Sequence, residues 1–515
     1  MSKSRIFIIC ASCILLFSVM LRIGYFSDAI QRPDYTYPQH DAEFKDYWAR
    51  ALVTQNWDIP DGKRDPFELW PYPTYPGYPW FLAANYFLFG IEPAVIIVIQ
   101  SILGAFTVLL SLIFVNMIWG RAAALATGVL LSLYWILPFT ESVLDQAALV
   151  NFLAVCFFIA LLKWLRTISN NDSKQASLIY TRKAALWLFV AGLLIVYIFS
   201  NRLEMLPFTV FSILWVLANA LISIGIKHSL KSGMIFFSAM LPLLLVVAVP
   251  PMKMSGSIML GSEQKLILCN NPKSQLTADI SPYLRDLLHD VKWSSAFEMP
   301  LFWENYATIN NLDPKNHIEM KNHMRNAALT FIRENPWLTA KRILQKAILT
   351  WTPQEIDENY VLAYEKEHSP ILRYMAGFPL ALSGFVFGLC AWLWHLFRDR
   401  KHWREKARVE IPIVLLILAY IGVFFVAFLP FHVNGRYRIP MIPFMLMFGG
   451  YGVKTIIEPL VAKQWRKGLG LAAVFLVLFA LAHIEIIPFE PDLARWHDER
   501  RQAWTATDRL EAGVA

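Results

Sequence analysis

Apolar residues fall along the chain in blocks of about twenty, set apart by short polar stretches. That is the length an α-helix needs to cross a hydrocarbon core of ~30 Å at a rise of ~1.5 Å per residue. Such blocks are read near residues 6–26, 93–118, 122–139, 146–165, 184–200, 206–225, 233–250, 371–397, 409–430, 439–458 and 468–487. The run from Tyr78 to Phe89 is shorter and reads as an interfacial or re-entrant helix, because a crossing there would reverse every later loop. With it held to one side, Arg121, the group Lys163, Arg166, Lys174, Arg182 and Lys183, and the pair Lys227 and Lys231 share the side of Lys3 and Arg5. So do the stretches RDRKHWREKAR and KQWRKG, and the positive-inside rule makes that side cytoplasmic. The first block is too long for a typical signal-peptide core and reads as a retained span.

The pattern therefore predicts an all-α polytopic membrane protein with about 11 transmembrane helices, interfacial helices and a mixed extracytoplasmic segment. Residues 1–250 read as an N-terminal transmembrane module with a first outer loop at 28–77, and 251–369 as the extracytoplasmic segment. Residues 370–487 supply the C-terminal transmembrane helices, and 488–515 an extracytoplasmic tail. Within the polar segment, Lys315 to Trp351 reads as a basic amphipathic helix, broken at Pro336, resting on the membrane surface. In the first outer loop HDAEFKDYWARAL shows a second helical pattern: Phe44, Tyr47, Trp48, Ala51 and Leu52 on one face, Glu43, Lys45, Asp46 and Arg50 on the other. This helix is expected to lie flat on the bilayer. Asp41 at its head is either an N-cap accepting a first-turn N–H or a carboxylate placed for chemistry.

Composition sharpens the class. The chain has 515 residues, 56% of them hydrophobic and 17% charged, against about 25% charged in soluble domains. The net charge of +8 belongs to cytoplasmic loops rather than to a nucleic-acid surface, so no nucleic-acid partner is expected. Cys10, Cys13, Cys156 and Cys390 lie in apolar blocks and only Cys269 in the outer segment, which leaves no disulfide pair there and no Cys/His metal spacing.

The informative charges are those that break the side rule. Arg202 in SNRLEMLPF, and Arg436 and Arg438 in FHVNGRYRIP, stand at the outer ends of spans. They either reach lipid phosphate and nearby carboxylates such as Glu204, or hold a ligand phosphate bidentately. FTESVLDQA places Glu141 and Asp145 four residues apart, on one face if helical, as a capping pair or as a second acidic element. The middles of the spans carry few ionisable groups, unlike those of ion-coupled transporters.

Taken in order, these stretches resemble the GT-C superfamily of multispanning glycosyltransferases that use polyprenyl-phosphate-linked sugars, in the branch of aminoarabinose transferases and protein O-mannosyltransferases. The likeness runs through HDAEFKDYWARALVTQNWDIP, PYPTYPGYPWFLAANYFLFG, TESVLDQAAL, SNRLEMLPF, FIRENPW and GRYRIPMIPF, and it rests on their order and spacing. It implies a GT-C-like bundle in a bacterial inner membrane with an extracytoplasmic active site. It also implies a polyprenyl-phosphate sugar donor, a lipid, glycan or protein acceptor, and inverting transfer. Asp41 would be the catalytic carboxylate, supported by Asp145 and Glu141, with Arg202, Arg436 and Arg438 on the donor phosphate. His40, Asp46 and His432 are the candidate supporting groups. The family often shows two adjacent acids at the first motif, whereas here His40 precedes Asp41 and Ala42 follows it. No DxD triplet occurs in that loop, so no cofactor is expected and a divalent metal is not indicated. The rival readings are an envelope oligosaccharide ligase or polymerase, relying on residues such as Arg285, His289 or His317, and a lipid-linked sugar flippase.

Overall fold

In the computed structural model the described residues are 2–30, 38, 40–70, 72–169, 182–255, 262–274, 276, 283, 286–287, 296–356, 362–398 and 403–487. The tail from Pro488, Lys174, Arg285 and His289 lie outside them. Nine of the described helices are long and apolar enough to cross a membrane. In chain order the first elements are α1 Lys3–Ala29, α2 Asp41–Thr54, α3 Gly77–Phe89, α4 Pro93–Trp119, α5 Arg121–Ser132 and α6 Ile136–Glu141. They are followed by α7 Ala147–Ser169, α8 Arg182–Asn201, α9 Leu206–Ile224 and α10 Ile226–Ser255. The polar segment folds into α11 Ser262–Cys269, α12 Met299–Asn310, α13 His317–Glu334, α14 Pro336–Thr350 and α15 Leu362–His368. Last come α16 Phe378–Arg398, α17 Trp403–Arg408, α18 Glu410–Ala427, α19 Ile442–Val461 and α20 Trp465–Leu481.

The boundaries follow local chemistry. Pro93 and Pro336 start their helices, where a missing N–H costs nothing. Gly120 and Gly225, at φ 87° and 83°, turn the chain straight from one helix into the next. The break at Asn335 between α13 and α14 confirms the interruption expected at Pro336. Residues 122–139 are not one helix. The chain breaks between α5 and α6, and Leu133 O and Trp135 N pair instead with the backbone of Ala376, at 2.8 and 3.2 Å. Helices α16 and α19 meet so closely that a Cβ on Gly388 would lie 1.9 Å from the carbonyl oxygen of Phe448. Many large apolar side chains face outward, among them Met20 at 62% and Ile222 at 84% exposure, as spans bathed in lipid require.

Helix α2 departs from the expected surface placement. Phe44 and Trp48 are buried in a cluster with Ala296 and Phe297 of the polar segment, backed by Phe67 and Tyr72. The opposite face is covered as well, since Lys45 and Asp46 are buried. Asp46 accepts from Arg50 Nε at 2.6 Å and from the Tyr86 hydroxyl of α3. The helix is thus clamped between bundle and polar segment, which fixes the position of its first turn.

Candidate active site

His40 precedes α2 with φ 55° and ψ −134°, a backbone conformation that costs a non-glycine residue of order 1 kcal/mol or more. The cap position is His40, which makes no side-chain cap bond, so Asp41 stands one residue inside the helix. Its carboxylate Oδ2 accepts from Arg436 Nη1 at 3.0 Å.

Arg436 stands on the 3₁₀ turn Gly435–Met441 and reaches a second acid, with Nη1 3.7 Å from Asp145 Oδ2. Asp145 caps a helix with one carboxylate oxygen and faces two cations with the other. Oδ1 accepts from the Ala147 N–H at 2.8 Å, capping α7, while Oδ2 faces Arg436 and, at 3.7 Å, Lys45 Nζ. The loop that presents it is buttressed by Gln100 of α4. The Gln100 amide donates to the carbonyls of Glu141 and Val143 at 2.9 and 2.8 Å, and accepts from the Tyr78 hydroxyl at 2.6 Å. Burial alone would raise the Asp145 carboxyl, but Lys45, Arg436, Arg202 and the Ala147 N–H together hold it below the usual carboxylate range. Lys45 shows the converse balance: burial lowers it more than Asp145 and Asp41 raise it.

Arg202, at the end of α8, completes the group. It is 2% exposed and donates Nη1 to Glu204 Oε1 at 3.1 Å, whereas Nε and Nη2 are buried with no hydrogen-bond acceptor. Buried donors of this kind are costly unless a ligand meets them. Tyr75 faces the same guanidinium; burial first, then the Glu204 carboxylate, raises its hydroxyl well above the usual value, so it stays protonated and able to donate.

Asp41, Asp145, Arg202 and Arg436, drawn from four distant stretches, therefore converge. The other expected residues are placed elsewhere. Glu141 is held by Arg22 of α1 through two bonds of 2.7 Å, Nε to Oε2 and Nη2 to Oε1. Arg438 points the other way, donating to the Thr352 and Gln354 carbonyls at 2.7 Å and to Glu355 Oε2 at 2.5 Å. Asp46 docks α2 on α3, as described above. His432 is buried, with Nε2 2.6 Å from the Tyr437 hydroxyl and Nδ1 3.8 Å from Cys269 Sγ. Sequence reasoning missed Lys45 and Tyr75 as members of the group. Lys45 carried a signal, since it lies four residues after Asp41 on the same helical face. Among the described residues no group of three or more His, Cys, Asp or Glu side chains is arranged to hold a metal ion.

No family model and no curated protein matches the chain. Among solved structures, archaeal oligosaccharyltransferase AglB from Archaeoglobus fulgidus, in complex with an inhibitory peptide and a dolichol-phosphate, aligns over 96% of this chain and 59% of its own, at 13% identity and TM-score 0.45. The apo form of the Archaeoglobus fulgidus oligosaccharyltransferase aligns over 96% and 60%, at 13% identity and TM-score 0.48. ArnT from Cupriavidus metallidurans bound to undecaprenyl phosphate aligns over 86% and 77%, at 14% identity and TM-score 0.33. The chain thus spans 59–60% of the length of these two oligosaccharyltransferase chains.

Proposed function

We propose that the chain is a membrane glycosyltransferase of the GT-C type, moving a sugar from a polyprenyl-phosphate-linked donor to an envelope lipid, glycan or protein acceptor on the extracytoplasmic face. One observation carries the reading: an accessible carboxylate, Asp41, adjoins a buried cation set whose Arg202 guanidinium has two nitrogens without acceptors. The Asp41 side chain is 38% exposed while Arg202 is 2% exposed, so the acid faces an incoming group and the cation waits beneath it.

In the proposed reaction Arg202 and Arg436 receive the donor phosphate, each through planar N–H donors suited to it. Capture of Arg436 by the phosphate weakens its hold on Asp41, which raises the basicity of that carboxylate. Asp41 then takes the proton of the acceptor hydroxyl as its oxygen attacks the anomeric carbon. The bond from that carbon to the phosphate oxygen breaks with inversion, and the polyprenyl phosphate leaves with the electron pair, its added charge met by the guanidinium groups. Asp145, kept ionised, orients Lys45 and Arg436, and Arg438 and the Arg22–Glu141 pair serve the scaffold.

The ligase reading finds less support. His317 packs edge-on against Trp70 and tilted against Trp303, at ring distances of 5.0 and 5.8 Å, within the polar segment's own aromatic core. Asp41→Asn is expected to abolish transfer while the protein stays in the membrane; near-normal product from that variant would sink the assignment. Purified protein with a synthetic polyprenyl-phosphate sugar separates transfer from flipping, since a flippase leaves the glycosyl phosphate bond intact.

A further inference from the structure

The edge of Arg202 that meets no acceptor is a matched pair of donors. Elsewhere in the molecule the same two nitrogens of Arg22, Nε and Nη2, hold both carboxylate oxygens of Glu141, each at 2.7 Å. In Arg202 they are buried without a hydrogen-bond partner, because Glu204 engages Nη1 instead. An anion presenting two oxygens fits such an edge.

A second unpaired group adjoins it. Tyr420 of α18 is 0% exposed, and among the described residues its hydroxyl is the only buried tyrosine hydroxyl without a hydrogen-bond partner. Other buried tyrosines follow the usual rule and find one: Tyr78 donates to Gln100 at 2.6 Å, and the Tyr437 hydroxyl lies 2.6 Å from His432 Nε2. The Tyr420 ring packs against Phe208 of α9 and Phe444 of α19, at centroid distances of 5.1 and 5.0 Å. Helix α9 follows the Arg202 loop and α19 follows the Arg436 turn. Helix α18 itself touches both the Leu203–Met205 turn and the Gly435–Met441 turn. Tyr420 is thus wedged between the two segments that carry the site's arginines, and Arg202 is the charged group whose field reaches it. With Phe158 edge-on at 5.6 Å, the hydroxyl is the polar atom of an otherwise aromatic wall. The phenol and the Nε–Nη2 edge are not bonded to each other. Each therefore destabilises the unliganded protein, and an acceptor shared between them relieves both.

We infer that Tyr420 is a ligand of the donor phosphate, its hydroxyl donating to the oxyanion held by the Nε–Nη2 edge of Arg202. The inference rests on the transfer reading and adds to it a neutral donor. Such a group strengthens the hold on the phosphate without burying a further cation.

The full-length protein in detergent is titrated with a short polyprenyl phosphate and with the matching polyprenol, as wild type and as Tyr420→Phe, with binding read by native mass spectrometry and stability by thermal unfolding. Removing a hydroxyl that has no partner is expected to leave the Tm of the unliganded protein unchanged or higher. Affinity for polyprenyl phosphate is expected to fall at least about tenfold, the scale of one lost hydrogen bond to a charged group, while affinity for polyprenol stays as in the wild type. Wild-type affinity for polyprenyl phosphate in a folded Tyr420→Phe variant overturns the inference and leaves the transfer reading standing. A lower Tm of the unliganded variant, or failure to fold, overturns it as well, since the hydroxyl then serves the scaffold. An equal loss for polyprenol assigns the ring to the hydrocarbon chain and has the same effect. A wild type that does not distinguish polyprenyl phosphate from polyprenol removes the transfer reading and this inference with it.

Discussion

Replacing Arg436 with alanine removes the cation standing between two carboxylates. Its Nη1 lies 3.0 Å from Asp41 and 3.7 Å from Asp145; at an effective dielectric of about 20, unit charges so placed attract by roughly 4–6 kcal/mol before solvent screens them. Screening differs at the two ends. The Asp41 side chain is 38% exposed, so that pair retains about 1 kcal/mol or less. The Asp145 side chain is 9% exposed, and breaking a buried pair costs about 3–5 kcal/mol. Lys45 remains beside Asp145, which places the stability loss near the low end, about 3 kcal/mol; the missing charge-assisted hydrogen bond to the donor phosphate, about 1.5–3 kcal/mol, costs roughly ten- to a hundredfold in kcat/KM. Because Arg436 is assigned to the phosphate, the loss should fall chiefly on donor KM.

A pH profile adds a second readout. The folded Asp145 carboxyl is held below its ordinary value, so its ionised form, and what depends on it, persists at neutral pH and is lost as pH falls through that lowered value. Without Arg436 the carboxyl rises and the acid limb of the profile moves to higher pH. The assay is sugar transfer from a synthetic polyprenyl-phosphate donor by purified protein, with thermal unfolding as the folding control. A folded Arg436→Ala variant with unchanged donor KM and an unmoved acid limb would refute the reasoning and leave Arg436 as a surface cation paired with bulk lipid.

Lys45→Met should destabilise the protein by about 3 kcal/mol and move the acid limb upward, since Lys45 is the cation that most lowers Asp145; a variant with wild-type rates at every pH would remove Lys45 from the site. Gly104→Ala would set a Cβ 2.0 Å from Glu141 Oε1, forcing apart the Arg22–Glu141 pair, and should destabilise the protein by about 3 kcal/mol, read as a lower Tm in detergent. His432 is held well below its ordinary value by burial, so the unfolded chain binds a proton that the folded chain refuses. Stability should therefore be full above about pH 6.5 and fall as pH drops below it, by up to about 1.4 kcal/mol per pH unit. His432→Gln should flatten that slope, and an unchanged slope would point to another group.

Much of the bundle was legible because lipid leaves helices few alternatives. Nine of the eleven expected spans correspond to described helices long and apolar enough to cross a membrane; the block at 468–487 folds as the shorter α20, of 17 residues, and the block at 122–139 is broken, its break satisfied by Ala376, far along the sequence. The convergence of Asp145, Arg202 and Arg436 was legible for a different reason: they sit where hydrophobic blocks end, and block ends on one side share one depth, whereas Asp41 stood out only as the head of a helical pattern in the first outer loop. Direction within a turn was not legible. Arg436 and Arg438 stand two residues apart on a 3₁₀ turn, about 240° around its axis, so one reaches Asp41 and the other Glu355. Glu141 and Asp145 would share a helical face, but α6 ends at Glu141 and the chain turns before α7, which separates them. Lys45 read as part of a solvated face because its covering comes from loops remote in sequence.

The backbone pairing of Leu133 and Trp135 with Ala376 also bears on how the protein is made. Within an apolar interior a carbonyl and an N–H left unpaired are costly, and the partner for both lies more than two hundred residues downstream. During synthesis α5 and α6 emerge long before Ala376 does, so their hinge has to stay wet, or in contact with the insertion machinery, until the C-terminal helices arrive. Docking of residue 376 is then the step that seals the first half of the bundle, and the assembled protein is closed by its last third.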